Sequence, residues 1–186
     1  NCAAIPPELI ESELFGVQKG AFTGATQNRI GRFERAQNGT IFLDEVIELS
    51  PRAQAALLRV LQEGELERVG DTSTRNIDVR VVAATNESLE QAVTEGRFRA
   101  DLFYRLAALR ITVPPLRQRG EDILTLFTRH SEQFAEEYGC DAPQVSAQEA
   151  AQLLQAPWPG NVRQLINLGE RAVLQSRRGG GTIASL

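Results

Sequence analysis

Thr40-Ile41-Phe42-Leu43-Asp44-Glu45 is the stretch on which the fold class turns. An apolar run stops abruptly at two carboxylates, which reads as a short buried strand delivering acids at its carboxyl end. Open α/β sheets place their ligands at that end. Val79 to Ala84 repeats the pattern and runs into Thr85-Asn86, so it reads as a second buried strand. Leu109 to Val113, closed by Pro114-Pro115, reads as a third. Helices fill the intervals. Glu8 to Phe15 and Gly31 to Ala36 have helical patterns, the second stopped by Asn38-Gly39. Ser50-Pro51 opens another with a capping serine and a first-position proline. Its Leu57, Leu58 and Leu61 share one face, and Gly64 stands near its end. Glu65 to Thr74 reads as a loop or hairpin, and Leu89 to Leu106 as helical segments broken near Gly96.

Beyond the two prolines the strand signal ends, and from Glu121 the pattern is helical. Ser146-Ala147-Gln148-Glu149 is a capping box ahead of Ala150, Leu153 and Leu154. Pro159-Gly160 makes a turn, Asn161 reads as a cap, and Val162, Leu165, Ile166, Gly169, Ala172 and Val173 form one apolar face. Arg178-Gly179-Gly180-Gly181 reads as the start of a linker. The expected organisation is an α/β subdomain over 1–120, a helical lid over 121–178 and linker over 179–186, with no internal repeat.

The 186 residues suffice for one domain with a small satellite, and 42% hydrophobic with 24% charged residues excludes a disordered chain. A net charge of −4 offers no evident nucleic-acid surface. No run approaches the ~18 apolar residues of a membrane span. Cys2 and Cys140 make no disulfide framework, and a reduced, cytoplasmic setting follows. His130, the sole histidine, has no neighbours that would make a metal site or a catalytic triad. Lys19 is the sole lysine and precedes Gly20, so no Gly-x-x-x-x-Gly-Lys-Ser/Thr phosphate loop occurs in the chain. There is no methionine either, and the chain reads as a piece of a longer protein.

Gly20-Ala21-Phe22-Thr23-Gly24-Ala25 has little with which to bury itself, and its glycines admit unusual backbone angles. Phe22 is therefore expected outside the core, on a pliable loop. This hexapeptide resembles the GAFTGA loop of the bacterial enhancer-binding proteins, AAA+ ATPases that remodel RNA polymerase carrying the sigma-54 factor. The resemblance extends through Asn1-Cys2-Ala3-Ala4 and Glu11-Ser12-Glu13-Leu14-Phe15-Gly16 to Trp158-Pro159-Gly160-Asn161-Val162-Arg163. It implies an AAA+ P-loop ATPase core, a parallel sheet flanked by helices and lacking its P-loop portion here, followed by a small helical lid.

The chemistry implied is phosphoryl transfer with ATP and Mg²⁺. Asp44 matches the acid that holds Mg²⁺ through water, and Glu45 the acid that polarises the attacking water. Asn1 matches the asparagine that restrains this glutamate until remodelling is signalled. Asn86 resembles the amide that reads the γ-phosphate, and Arg163 the lid arginine placed over the nucleotide. Arg99 and Arg105 match the segment carrying an arginine finger, which a fork-shaped permanent cation suits; on residue type alone either is equally an ion-pair partner. Arg68 and Val69 lie in a stretch resembling the second pore loop, and are candidates for coupling to Gly20–Ala25.

The resemblance also implies partners. These are a sigma-54 polymerase holoenzyme touched by Phe22 and Thr23, a hexameric ring when active with a dimer at rest, and enhancer DNA bound by a domain outside this chain. No membrane is involved. The alternative is that these residues alone, without a phosphate loop, form only the non-catalytic sigma-contacting and lid portion. In this fold the strand before the P-loop lies inside the parallel sheet, so its absence is expected to leave a gap.

Overall fold

The computed structural model describes residues 1–177, and the linker expected at 179–186 lies outside them. The chain divides into two compact units between Arg110 and Ile111.

In the first unit a 3-10 turn, Cys2–Ala4, leads into α1 (Pro7–Phe15), which opens on proline and stops at Gly16 with φ of 89°. The chain then runs out and back as a ribbon, β1 (Gly16–Val17) antiparallel to β2 (Arg29–Ile30). α2 (Arg32–Arg35) follows, and Asn38, at φ 59°, turns the chain into β3 (Gly39–Leu43). α3 (Pro51–Glu63) starts as its sequence dictates: the Ser50 side chain accepts the Ala53 N–H, and Gly64 ends the helix in the left-handed region. β4 (Glu65–Glu67) and β5 (Thr74–Asn76) make an antiparallel hairpin. β6 (Val79–Ala83) lies parallel to β3 with Ile41 opposite Val81. α4 (Leu89–Thr94) and α5 (Ala100–Leu106) complete the unit.

Its core gathers Ile10, Phe15, Phe33, Leu57 and Leu102, each at most 1% exposed. Phe15 stacks on Phe33 with ring centroids 5.3 Å apart and planes within 3°. Both parallel strands were expected to be buried, but they are buried on one face only. Ile41 and Leu43 face the core, while Phe42 is 59% and Val82 39% exposed. The third expected strand, Leu109 to Val113, does not form. A strand exists only as one line of a ladder, and no ladder partner lies beside this segment among the described residues. Leu109, Ile111 and Val113 are left 81%, 80% and 70% exposed.

The second unit begins at Ile111 and is helical. A 3-10 turn, Leu116–Gln118, precedes α6 (Asp122–Tyr138), α7 (Ala147–Gln155) and α8 (Asn161–Arg177). Ser146 and Glu149 make the capping box read from the sequence. Ile123, Phe127, Leu153, Trp158 and Leu165 form the core, and the buried indole N–H of Trp158 donates to the Leu153 carbonyl at 2.8 Å. Gly169 lets α8 approach α6 closely, since a Cβ there would come within 3.1 Å of Ser131 Oγ. Asn161 does not cap α8. Its Oδ1 accepts the Leu116 N–H at 2.9 Å instead, tying the turn before α6 to the start of α8.

Gly31 has no room for a side chain: a Cβ there would lie 2.4 Å from backbone atoms of Leu14, Phe15 and Gly16. Gly31→Ala is expected to destabilise the fold by about 2 kcal/mol or more. Urea unfolding measures it, and an unchanged midpoint would contradict this packing.

Candidate functional site

Asp44 and Glu45 leave the carboxyl end of β3 half-buried, beside the end of β6. The backbone fixes them there. Ala84 N–H donates to the Leu43 carbonyl at 2.8 Å, and Val46 N–H to the Ala84 carbonyl at 3.0 Å. Glu45 has φ 53°, a left-handed conformation uncommon for any residue with a side chain. Its Oε2 accepts the Asn86 N–H at 3.2 Å, so the two sequence-predicted strand ends meet. The Asn86 side chain makes no hydrogen bond among the described residues and is exposed. Asn1, expected to hold Glu45, holds Asp44 instead: its Nδ2 donates to Asp44 Oδ2 at 2.7 Å. The reason is local. Asn1 caps the first turn through Ala4 N–H, and Cys2 N–H donates to the Asp44 carbonyl at 2.8 Å, which sets the Asn1 side chain against Asp44.

This donor set fits Mg²⁺ held through water. Mg²⁺ keeps several waters and takes one or two carboxylates plus substrate phosphates rather than an all-protein cage. No cluster of three or more metal-ligating side chains occurs among the described residues. Both Asp44 oxygens already accept hydrogen bonds, from Asn1 and from Glu45 N–H, which favours an outer-sphere role.

Arg99 stands at the start of α5 and forks onto Asp101 at 3.0 and 2.6 Å, with both side chains nearly half exposed. Arg105 gives its Nε and one Nη to the Leu61 carbonyl at 3.0 and 2.8 Å, near the end of α3. Gln54 is a residue missed from the sequence. It is 2% exposed, donates to the Leu49 and Arg97 carbonyls, and accepts the Arg99 N–H at 2.9 Å, which fixes where α5 begins. Its signal was present, because position 54 falls on the face of Leu57 and Leu58. In the second unit, Arg163 lines a 690 Å³ cleft with Trp158, Gly160, Asn161, Asn167 and Arg171, and no carboxylate among the described residues lines it.

The ribbon of β1 and β2 carries Gly20–Ala25. Gly20 and Gly24 have φ of 85° and 104°, and Gly20 N–H closes the loop on the Ala25 carbonyl at 2.8 Å. Ala25 is buried, Thr23 is exposed, and Phe22 is 48% exposed, as the composition predicted. The second loop, between β4 and β5, binds this ribbon. Val69 N–H donates to the Gly16 carbonyl at 3.0 Å, and Gln18 N–H to the Val69 carbonyl at 2.9 Å. Arg68 grips Glu34 of α2 through two bonds of 2.7 and 2.8 Å, largely out of solvent, which lowers the Glu34 pKa. Asp71 is pulled down to about 2 by the Ser73 backbone N–H and by Arg75. Nothing in the local sequence marks Glu34, whose partner Arg68 lies 34 residues on, whereas Asp71 has its partners Ser73 and Arg75 close by in its own loop.

Residues 1–112 match the family model described as the sigma-54 interaction domain, and 117–185 the AAA+ ATPase lid domain. The phenol regulator MopR of Acinetobacter guillouiae is 62% identical over 174 residues, covering 94% of this chain and 31% of MopR. The transcriptional regulatory protein XylR of Pseudomonas putida is 61% identical with the same coverage of each chain. NtrX from Brucella abortus, solved in complex with ADP, superimposes with a TM-score of 0.86 at 38% identity, covering 100% of this chain and 40% of its own. Hsp104 of S. cerevisiae shares the fold at a TM-score of 0.64, with 16% identity and coverage of 96% and 34%. The chain spans about a third of the curated relatives it matches.

Asp71 titrates at about 2 in the fold, below its ordinary 3.8. Its contribution to stability is therefore present above about pH 4 and lost as the pH falls toward 2. Wild type is expected to melt higher than Asp71→Asn near neutrality, with the gap closing by about pH 2. A pH-independent gap in thermal melts would refute that ionisation state.

Proposed function

The chain belongs to the sigma-54 interaction domain family, with the AAA+ fold and its lid, and we propose on that premise that it is the motor portion of a sigma-54-dependent transcriptional activator, an ATPase acting in the cytoplasm. The observation that carries the reading is the junction of the parallel strands, where Glu45, in its left-handed conformation, is pinned by Asn86 N–H beside Asp44.

Bound ATP with Mg²⁺ supplies the γ-phosphoryl group and a divalent charge. Asp44 would hold Mg²⁺ through water. Glu45 would accept a proton from the attacking water, and the exposed Asn86 amide would donate to the γ-phosphate. Arg163 would supply a cation to the bound nucleotide, as the family resemblance implies. Arg99, held to Asp101 by an exposed pair of small net worth, is the finger more easily recruited to a neighbouring subunit. Arg105, the other candidate finger, rests on the Leu61 carbonyl rather than on a carboxylate. A finger that serves a neighbour requires a ring, and a hexamer is the assembly proposed, with a dimer at rest.

Asn1 acts as the switch through Asp44, whose backbone leads directly into Glu45. Arg68 and Val69 transmit the change to the ribbon, and Gly20, Ala21, Phe22, Thr23, Gly24 and Ala25 present the contact surface to sigma-54. The exposed ring of Phe22 and the neighbouring Thr23 hydroxyl support that assignment. Enhancer DNA would be bound by a part of the protein outside this chain. A second reading is favoured by the single lysine: by themselves these 186 residues contact sigma-54 without hydrolysing ATP.

In the intact protein, Glu45→Gln is expected to lower ATP turnover by about 10²-fold or more while nucleotide still binds. Phe22→Ala should retain turnover and lose open-complex formation. Steady-state hydrolysis and promoter-opening assays separate the two, and full promoter opening by Phe22→Ala would overturn the role of the loop. For the 186 residues alone, no ATP hydrolysis is expected in a phosphate-release assay, and measurable turnover would overturn the second reading.

A further inference from the structure

We infer that Gln18, Gly70 and Asp71 form a seat that fixes the Phe22 loop on the second loop, with Asp71 as its positioning residue. The inference rests on the reading of Phe22 as the output contact, and it assigns residues that the family resemblance did not bring forward.

Two independent contacts make the seat. The first is steric. Gly70, at φ 79°, abuts Ala21 so closely that a Cβ on residue 70 would lie 2.3 Å from Ala21 Cβ and 2.8 Å from Ala21 Cα. The approach needs glycine on one side and a small residue on the other. The second is polar. With the carboxamide of Gln18 turned so that its nitrogen faces Asp71, Nε2 lies 2.8 Å from Oδ2 and 3.3 Å from Oδ1. The Asp71 side chain is only 5% exposed and also accepts Ser73 N–H at 2.9 Å and Arg75 Nη1 at 2.8 Å. It is thus anchored within the second loop while holding the first.

The link continues inward. Arg75 Nε lies 4.0 Å from Glu34 Oε2, and Arg68 grips both oxygens of the same carboxylate. Gln18, Asp71, Arg75, Glu34 and Arg68 form a contiguous polar chain from the stem of the output loop to α2. Any displacement of the second loop must carry residues 18–21 with it or break these contacts. Phe22 is the next residue along. Within the loop and its ribbon, Gly20 N–H donates to the Ala25 carbonyl and Lys19 N–H to Asn28 Oδ1.

The sole lysine supplies the probe. Lys19 is exposed and sits between Gln18 and Gly20, so a lysine-specific endoprotease cuts this chain only at the loop stem, and mass spectrometry identifies that cut in the full-length regulator. Gln18→Ala and Asp71→Asn are each expected to raise the nicking rate at Lys19 by about fivefold or more. The double variant should be no faster than Asp71→Asn alone, since Gln18→Ala removes a contact that Asp71→Asn already breaks. Phe22→Ala should be nicked at the wild-type rate. ATP turnover by Gln18→Ala and Asp71→Asn should stay within about twofold of wild type, while their open-complex yield from sigma-54 polymerase falls about tenfold or more.

Wild-type nicking rates in both variants would overturn the seat. Fast nicking with an undiminished open-complex yield would overturn its positioning role. Full yield from Phe22→Ala would refute the output reading instead, and nicking would still decide the seat. Should Asp71→Asn lose turnover through misfolding, Gln18→Ala, which alters only the loop side of the contact, decides the matter.

Discussion

The backbones of Gly16 and Gly31 lie against each other too closely for a side chain on either. A Cβ on Gly16 would meet Arg29 O at 2.7 Å and Gly31 N at 2.8 Å. Much of the first unit follows from that approach. It closes the neck of the ribbon, so residues 18–28 leave and return at one point. It also brings the end of α1 to the start of α2, where Phe15 and Phe33 stack. Such a pair is worth about 1 kcal/mol beyond its buried area. The second loop then bonds to Gly16 itself through Val69 N–H. The core, the output ribbon and the coupling loop therefore meet at one pair of glycines.

Magnitudes sort the arginines. Arg99 and Asp101 form an exposed pair, and such pairs are worth about 0–1 kcal/mol. Releasing Arg99 costs little, so it can change partners. Arg68 and Glu34 are bidentate, with side chains 13% and 15% exposed. Removing one partner of such a largely desolvated pair costs about 2–3 kcal/mol or more. Arg68 is a fixture and Arg99 a movable group. That contrast agrees with the proposed function, in which Arg68 keeps the second loop fixed to α2 and Arg99 is free to turn toward a neighbouring subunit.

Features written locally were legible in the sequence. Ser50-Pro51 and Gly64 bound α3, Ser146 and Glu149 make their capping box, and two glycines put Phe22 outside the core. The carboxylates at the end of β3 were legible too, while their meeting with Asn86 comes from the pairing of β3 with β6. What escaped is held by partners far along the chain. Asn161 reads as a cap but bonds to Leu116, 45 residues away. Glu34 and Arg68 are 34 residues apart. Asn1 lies 43 residues from Asp44, its actual partner, and one further from Glu45, its expected one, and one hydrogen bond from Cys2 decided between the adjacent acids.

The strands carry the deeper lesson. Ile41-Phe42-Leu43 and Val81-Val82-Ala83 are apolar without alternation, the composition of strands covered on both faces. The structure covers one face and leaves Phe42 and Val82 open. Leu109, Ile111 and Val113 are likewise written for a ladder and find no neighbour among the described residues. Periodicity reports the environment for which a segment is composed, and the ladder must be supplied by something else. The two sets of exposed apolar residues thus have one origin. The strand composition asks for more sheet than the described residues supply, whereas the helices of the second unit find their partners within it.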